Sequence, residues 1–339
     1  MLSEQLSDPT ASVRQGRKGV EPGPSMDPKI TTKPSISVVV PVYNSEATLP
    51  ELVKRLKPVL DSAAHEYELV LVSDGSSDRS WEVIQRLSAE NDWVRGIKLM
   101  RNYGQHNALL CGIRAARCEI IATMDDDLQH PPEELPKLLR QLDGFDVVYG
   151  APERQQHGFW RDVASTFTKW ALQGSMGAET ARMVSAFRVF HRHLRQAFED
   201  YHSPFVSIDV LLTWGTKRFT AVRVRHDARL AGISHYTVRK LVIHATNMVT
   251  GFSTLPLQIA SFLGFFCTLF GVAILAYVVG SYAIRGTSFP GFTFLASIVA
   301  IFSGAQLFTL GIIGEYLARM HFRMMERPTY TIHTTTVQR

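Results

Sequence analysis

Cysteine is scarce in this chain, and what there is follows no pattern. Cys111, Cys118 and Cys267 are odd in number and lack metal-site spacing, so they read as reduced structural thiols in a cytosolic setting. Residues 1–34 have no apolar stretch; their Pro, Gly, Ser and mixed charge predict a disordered tail, not a signal peptide, and keep the globular part cytosolic. No Gly-x-Gly-x-x-Gly follows any strand-like run, which counts against a dinucleotide-dependent oxidoreductase. Internal repeats are absent, and there is no low-complexity tract beyond the tail. Charge itself is missing from two stretches, Leu255 to Ile284 and Phe292 to Ile313.

Each uncharged stretch exceeds the roughly 18–20 apolar residues that cross a bilayer core. Two membrane helices are therefore predicted, 255–284 and 292–317, with a cytoplasmic tail over 318–339. Arg239 and Lys240 precede the first span, and Arg319, Arg323 and Arg327 follow the second. The turn near Gly286 to Pro290 has only Arg285 beside it, so the positive-inside rule puts both flanks inside and the turn outside. Residues 237–254 predict an amphipathic helix on the membrane surface, with Leu241, Val242, Met248, Val249 and Phe252 set against Arg239, Lys240 and His244. The net charge of +5 is clustered near these spans. It suits anionic lipid headgroups or phosphate substrates better than nucleic acid.

A chain of 339 residues leaves room for a large domain ahead of the spans. Residues 35–236 supply it. Strand-like runs at Ile36–Val42, Tyr67–Ser73, Val94–Met100, Glu119–Met124 and Asp146–Gly150 alternate with helical patterns. The first helix carries Leu49, Leu52, Val53, Leu56, Val59 and Leu60 at the 3.6 period, with Thr48 and Glu51 at capping-box spacing. Others lie around Trp81–Leu87, after Gly104, and from Pro131-Pro132, where a missing N–H costs nothing. A helix around Trp160–Leu172 and a strand near Lys217–Arg225 follow. This order predicts an α/β domain with a mainly parallel, Rossmann-like sheet. Ligands bind such sheets at the carboxyl ends of the strands. Asn44, Asp74 and Asp125 to Asp127 all lie just past strand ends and should share one rim.

The triplet Asp125-Asp126-Asp127 is the sharpest feature. Carboxylates one residue apart at a strand end suit a hard divalent cation such as Mg²⁺ or Mn²⁺, which keeps several waters and can bridge a diphosphate. The turn Ser73-Asp74-Gly75-Ser76-Ser77-Asp78 and the run Pro41-Val42-Tyr43-Asn44 gain weight from their order and spacing with it.

Pro-Val-Tyr-Asn, then Asp-Gly-Ser-Ser-Asp about 30 residues later, then Asp-x-Asp-Leu-Gln-His-Pro-Pro, together resemble the inverting family 2 glycosyltransferases with the GT-A fold. The resemblance runs from about Ser35 to Ile332 and is strongest to the branch that acts on polyprenyl phosphates. Arg101 to Ala108 and Gly314 to Arg319, with Arg327-Pro328 beyond, are similar to the undecaprenyl-phosphate aminoarabinose-type transferases. The resemblance implies that Pro41, Tyr43, Asp74, Asp125 and Asp126 bind the nucleotide sugar, with Arg188 and His235. It implies a metal site at Asp125, Asp127 and Gln129, an acceptor-phosphate clamp at Arg161 and Ser165, and Arg229 on the phosphates. It also implies a homo-oligomer, to which Gly264, Gly271, Ser303, Gly304 and Gly311 can contribute close packing. Asp127, Arg161, Ser165 and Arg229 are the expected catalytic residues.

The sequence departs from the family pattern at Ser73, where a carboxylate is usual, and at Ser45, with Glu46 one place late. It also departs at Pro152 in place of arginine and at His235 in place of lysine. These departures bear on donor choice and keep open a weakened, membrane-tethered binding protein. A processive polysaccharide synthase is the other alternative, but its Gln-x-x-Arg-Trp segment and extra spans are missing. The expected reaction moves a sugar from a nucleoside diphosphate to an already anionic lipid phosphate, which needs no general base.

Overall fold

A computed structural model of the chain describes residues 33–152, 184–203, 206–227, 255–285, 291–325 and 327–336. Residues 1–32 of the expected N-terminal tail, the helix around Trp160–Leu172, the surface helix over 237–254 and the turn at 286–290 lie outside the described residues. So do Arg161, Ser165, Arg229 and His235.

The alternating pattern builds β1 (Ser35–Val42), α1 (Leu49–Ala63), β2 (Glu66–Ser73), α2 (Ser80–Glu90), β3 (Val94–Leu99), α3 (Gln105–Ala115) and β4 (Ile120–Thr123). Then come α4 (Leu135–Gln141), β5 (Val147–Pro152), β6 (Arg188–His191), α5 (Ile208–Gly215) and β7 (Phe219–Val224). Two long helices, α6 (Leu255–Arg285) and α7 (Phe292–Met324), precede a last strand, β8 (Ile332–Thr335). The strands form one sheet in the order β7-β5-β6-β4-β1-β2-β3-β8. β1 pairs in parallel with β2 and β4, β2 with β3, and β5 with β7, as the mainly parallel expectation requires.

Two strands run against the rest. β6 lies antiparallel between β4 and β5, and β8 pairs antiparallel with β3. β6 has four residues and β8 has four exposed ones, too short and too polar to stand out as alternating runs. Within the segment expected as a C-terminal tail, 318–339, α7 continues to Met324 and the chain then returns to the sheet as β8.

Every residue of β1 is buried, as befits a central strand covered on both faces. The faces hold separate apolar clusters. One joins Leu49, Leu52, Leu56 and Leu60 of α1 to Val38, Val40 and Leu71. The other joins Leu109, Leu110 and Ile113 of α3 to Val39, Val70 and Ile121. The expected capping box at α1 does not form: the Thr48 hydroxyl turns back to the Ser45 carbonyl at 3.2 Å and makes no side-chain cap. Cys111 and Cys118 are buried thiols, and burial pushes Cys111 up to about 12, in keeping with a structural role.

Leu257–Ser281 within α6 is long and apolar enough to cross a membrane by length and composition, the one such segment among the described residues. Its Phe262, Phe265, Phe266 and Phe270 are exposed, and so are Leu307, Phe308 and Leu310 on α7. Gly271, expected between subunits, instead abuts Phe302 of α7 in the same chain: a Cβ there would stand 3.1 Å from its ring.

Candidate active site

A cleft of about 240 Å³ opens at the carboxyl ends of β1, β2 and β4. Pro41, Val42 and Tyr43 form one side, and Asn102, Gly104 and Gln105 at the start of α3 form another. Asp74 and the triplet Asp125 to Asp127 complete it. Of the rim expected from strand order, Asp74 and Asp125 to Asp127 are assembled here, whereas Asn44 stands off the lining and braces the neighbouring turn. The loops of the rim are laced together by short polar bonds. Ser77 N–H donates to Asn44 Oδ1 at 2.8 Å, Arg79 N–H to Glu46 Oε2 at 2.9 Å, and Glu46 N–H to Asp78 at 3.1 Å. Glu46, one place late in the sequence, therefore serves the turn that follows Asp74. Asn44 holds φ +54°, a conformation that asparagine tolerates better than most residues.

Asp74 sits at the back of the cleft with both carboxylate oxygens engaged. Tyr103 N–H donates to one at 2.7 Å and Gly104 N–H to the other at 2.8 Å. Burial raises its pKa, and the two amides pull the other way. This carboxylate shapes the loop before α3 as well as facing the cleft. Ser73, where the family pattern has a second carboxylate, is fully buried and does not line the cleft.

The acidic triplet is held from several directions. Asp126 accepts from Tyr43 N–H at 3.2 Å, and Gln105 donates its side-chain amide to Asp125 at 2.6 Å. Asp127 accepts from Gln129 N–H at 3.1 Å, closing a tight turn in which Leu128 takes φ +60°. Burial pushes Asp126 up to about 6, against the Ser45 hydroxyl and the Tyr43 amide, which lower it. Just beyond, His130 is buried beside Phe187 and His226, with its Nε2 3.3 Å from the Ser185 hydroxyl. Burial lowers its pKa to about 4, so the ring is neutral near pH 7. Asp227 N–H donates to the Gln129 carbonyl at 2.9 Å. The acidic turn is thereby fixed to both segments that flank it in space.

Of the residues the resemblance assigns to the site, Pro41, Tyr43, Asp74 and Asp125 to Asp127 come together around the cleft. Gln129 contributes backbone contacts to the same turn but does not line the cleft. Arg188 is placed elsewhere. It is 1% exposed and paired with Asp209, with Nε donating to Thr123 at 3.1 Å. Its guanidinium lies 5.9 Å from the Tyr149 ring centroid, and Tyr149 in turn donates to Asp209 at 3.0 Å. The arginine is a buried structural partner, because a guanidinium in the core needs a carboxylate beside it. Among the cleft residues absent from the assigned set, Val42, Asn102, Gly104 and Gln105, the glutamine is the one whose side chain meets the acidic triplet. The run Arg101 to Ala108 marked the segment, but nothing in it singled out a side chain aimed at Asp125.

Residues 37–201 match the family described as Glycosyl transferase family 2. The chain is 35% identical over 306 residues to the undecaprenyl-phosphate 4-deoxy-4-formamido-L-arabinose transferase of Shewanella sediminis, covering 89% of this chain and 92% of that one. The chain belongs to glycosyltransferase family 2. This glycosyltransferase also resembles glucosyl-3-phosphoglycerate synthase from Mycobacterium tuberculosis, solved in complex with Mn²⁺, uridine diphosphate and phosphoglyceric acid. That likeness has a TM-score of 0.49 at 18% identity, over 64% of this chain and 76% of the other.

Proposed function

We propose that this glycosyltransferase moves a sugar from a nucleoside-diphosphate sugar onto a polyprenyl phosphate at the cytoplasmic face of a membrane, with inversion at the anomeric carbon. The identity along nearly the whole length of a transferase named for undecaprenyl phosphate carries the reading. The cleft supports it. Exposed Tyr43 offers a ring to a nucleobase, and the acidic triplet stands where a diphosphate would be held.

The donor set suits a divalent cation. Asp125 and Asp127 are hard oxygen ligands on one cleft. Among the described residues no cluster of three or more His, Cys, Asp and Glu is arranged to hold a metal. The two carboxylates would leave the remaining positions to water and diphosphate, as Mg²⁺ or Mn²⁺ prefers, without the side chain of Gln129, which stands off the cleft lining. When bound, such a cation neutralises the charge on the leaving nucleoside diphosphate. The chain's own residues then have to orient and to exclude. Gln105 holds Asp125 in place, Tyr43 N–H holds Asp126, and Asp74 fixes the wall opposite.

The acceptor phosphate is already anionic, so its oxygen can attack without a base. Arg161 with Ser165, and Arg229, are assigned to hold it beside the donor; bidentate arginine contacts suit that task. The apolar segment Leu257–Ser281 and the uncharged run of α7 are read as two spans, with both ends cytosolic and a homo-oligomer as the working unit.

A donor labelled in the sugar and separately in its β-phosphate tests the reaction with purified protein and polyprenyl phosphate. The lipid should acquire the sugar label alone, and excess chelator should abolish transfer. Phosphate label in the lipid, or full turnover in chelator, would overturn the mechanism. No turnover across a panel of nucleotide sugars would favour the weakened binding protein.

A further inference from the structure

We propose that Thr329–Thr331, at the start of the C-terminal segment, is a positioning element for the donor cleft, holding the wall of Asn102, Gly104 and Gln105 in its binding geometry. The inference rests on reading that cleft as the donor site.

The segment does more than cover a sheet edge. β8 pairs with β3 through Ile97, Lys98 and Leu99, and the ladder shifts register between Lys98 and Leu99. One further bond, Met100 N–H to the Thr331 carbonyl at 2.9 Å, extends the grip to the end of the strand. Beyond it come only Arg101 and Asn102 before the amides of Tyr103 and Gly104, which are clamped by Asp74. The cleft wall is thus a very short loop pinned at both ends, by the C-terminal segment on one side and by Asp74 on the other. Thr329 is buried, and Tyr330 packs into the cluster formed by α3, with the Arg114 guanidinium 5.9 Å from its ring. The helix whose first residue is Gln105 is therefore braced by the same segment.

Pinning matters because a loop that is already ordered binds without the entropic cost of ordering it. Release of the Thr331 and Tyr330 contacts would free the Met100 end of the wall, and donor binding would then have to order it. The opposite end of β8 is anchored independently. Thr336 Oγ1 accepts from Gly96 N–H and Ser88 Oγ, each at 2.8 Å, well away from the cleft. The two ends can therefore be disturbed separately. α7 ends at Met324, shortly before Thr329, so the brace on the donor wall is tethered directly to the long apolar helices.

The test uses the full chain in detergent and its affinity for uridine, guanosine, thymidine and adenosine diphosphates. Tyr330→Ala should weaken the nucleotide that the parent binds about tenfold, the effect of one lost positioning contact. Thr336→Val should lower the melting temperature and leave that affinity unchanged. Tyr330→Leu, which keeps apolar bulk, is the second variant should the alanine protein fail to fold. In it the Tyr103 and Gly104 amides should exchange hydrogen faster than in the parent. Unchanged affinity in a folded Tyr330 variant, or unchanged exchange at those two amides, would overturn the inference. If the parent binds no nucleoside diphosphate, the reading of the cleft fails, and the exchange measurement still decides the role of the segment.

Discussion

Gln105 and Asp125 meet across the cleft, the glutamine amide donating to the carboxylate at 2.6 Å. They come from different elements, the first turn of α3 and the loop after β4, so the bond ties two walls of the site together. Its role is to point Asp125, and with it any cation that Asp125 holds. Gln105→Leu removes the donor and keeps the volume. Turnover should fall about tenfold, in line with one lost charge-assisted hydrogen bond of about 1.5 kcal/mol, and the cation concentration at half-maximal rate should rise. Steady-state rates across a metal titration check this. A drop in melting temperature with unchanged metal dependence would make Gln105 merely structural.

Arg188 offers the contrasting case of an arginine that the site does not use. Its pairing with Asp209 is buried, with Thr123 and Tyr149 completing the group. Arg188→Ala would strand Asp209 and should cost about 3–5 kcal/mol of stability. The double variant Arg188→Met with Asp209→Leu should recover most of that. Urea unfolding followed by tryptophan fluorescence measures both, and nucleotide affinity in whatever remains folded should match the parent. Lost affinity with unchanged stability would return Arg188 to the donor site.

These two residues also show what the sequence could and could not convey. The apolar runs of β1, β2 and β4 and the period of α1 are local, so the strand-helix order and the rim carrying Asp74 and Asp125 to Asp127 were legible. Burial of an arginine is set by its partner, and Asp209 lies on another element. In sequence Arg188 reads as a nucleotide-sugar ligand because only its order within a motif is visible. The Gln105–Asp125 bond spans β4 and α3 in the same way. β8 was missed for a related reason: Ile-His-Thr-Thr has little apolar pattern, and its strand state comes from the open edge of β3. Thr48 shows the opposite failure, a correct capping spacing overruled when the Ser45 carbonyl took the hydroxyl.

His191, the last residue of β6, gives a pH dependence whose sign follows from its surroundings. Burial lowers its pKa, and His193, stacked at 5.4 Å, lowers it further. The folded protein therefore resists protonation that the unfolded chain accepts near the ordinary value of about 6.5. Between that value and the lower folded one the unfolded state binds more protons. Stability from this group is thus complete above about 6.5 and is lost as the pH falls through the folded pKa. His191→Gln should flatten that part of the profile. Urea midpoints at pH 7.5 and pH 5.5 should differ less in the variant than in the parent. An equal or larger difference would remove His191 as the source.

At Gly75 the turn after β2 comes into close approach with the 101–104 loop that walls the cleft. Its φ is +67°, and a Cβ there would lie 2.4 Å from Asn102 N and 2.5 Å from Arg101 C. Both contacts are to backbone, so no side-chain rotation can relieve them. An alanine must either push the 101–104 loop away or abandon the turn, and its positive φ adds about 1–2 kcal/mol of strain. Displacement of the loop would pull Tyr103 and Gly104 from Asp74, whose buried carboxylate would then lose both amide donors. Gly75→Ala should therefore weaken nucleotide binding more than tenfold, with a modest loss of melting temperature. Ser77→Ala, on the same turn but outside the cleft lining, should change affinity little. Equal effects from the two substitutions would show that the turn matters only as a whole, and that the close approach at Gly75 has no special bearing on the cleft wall.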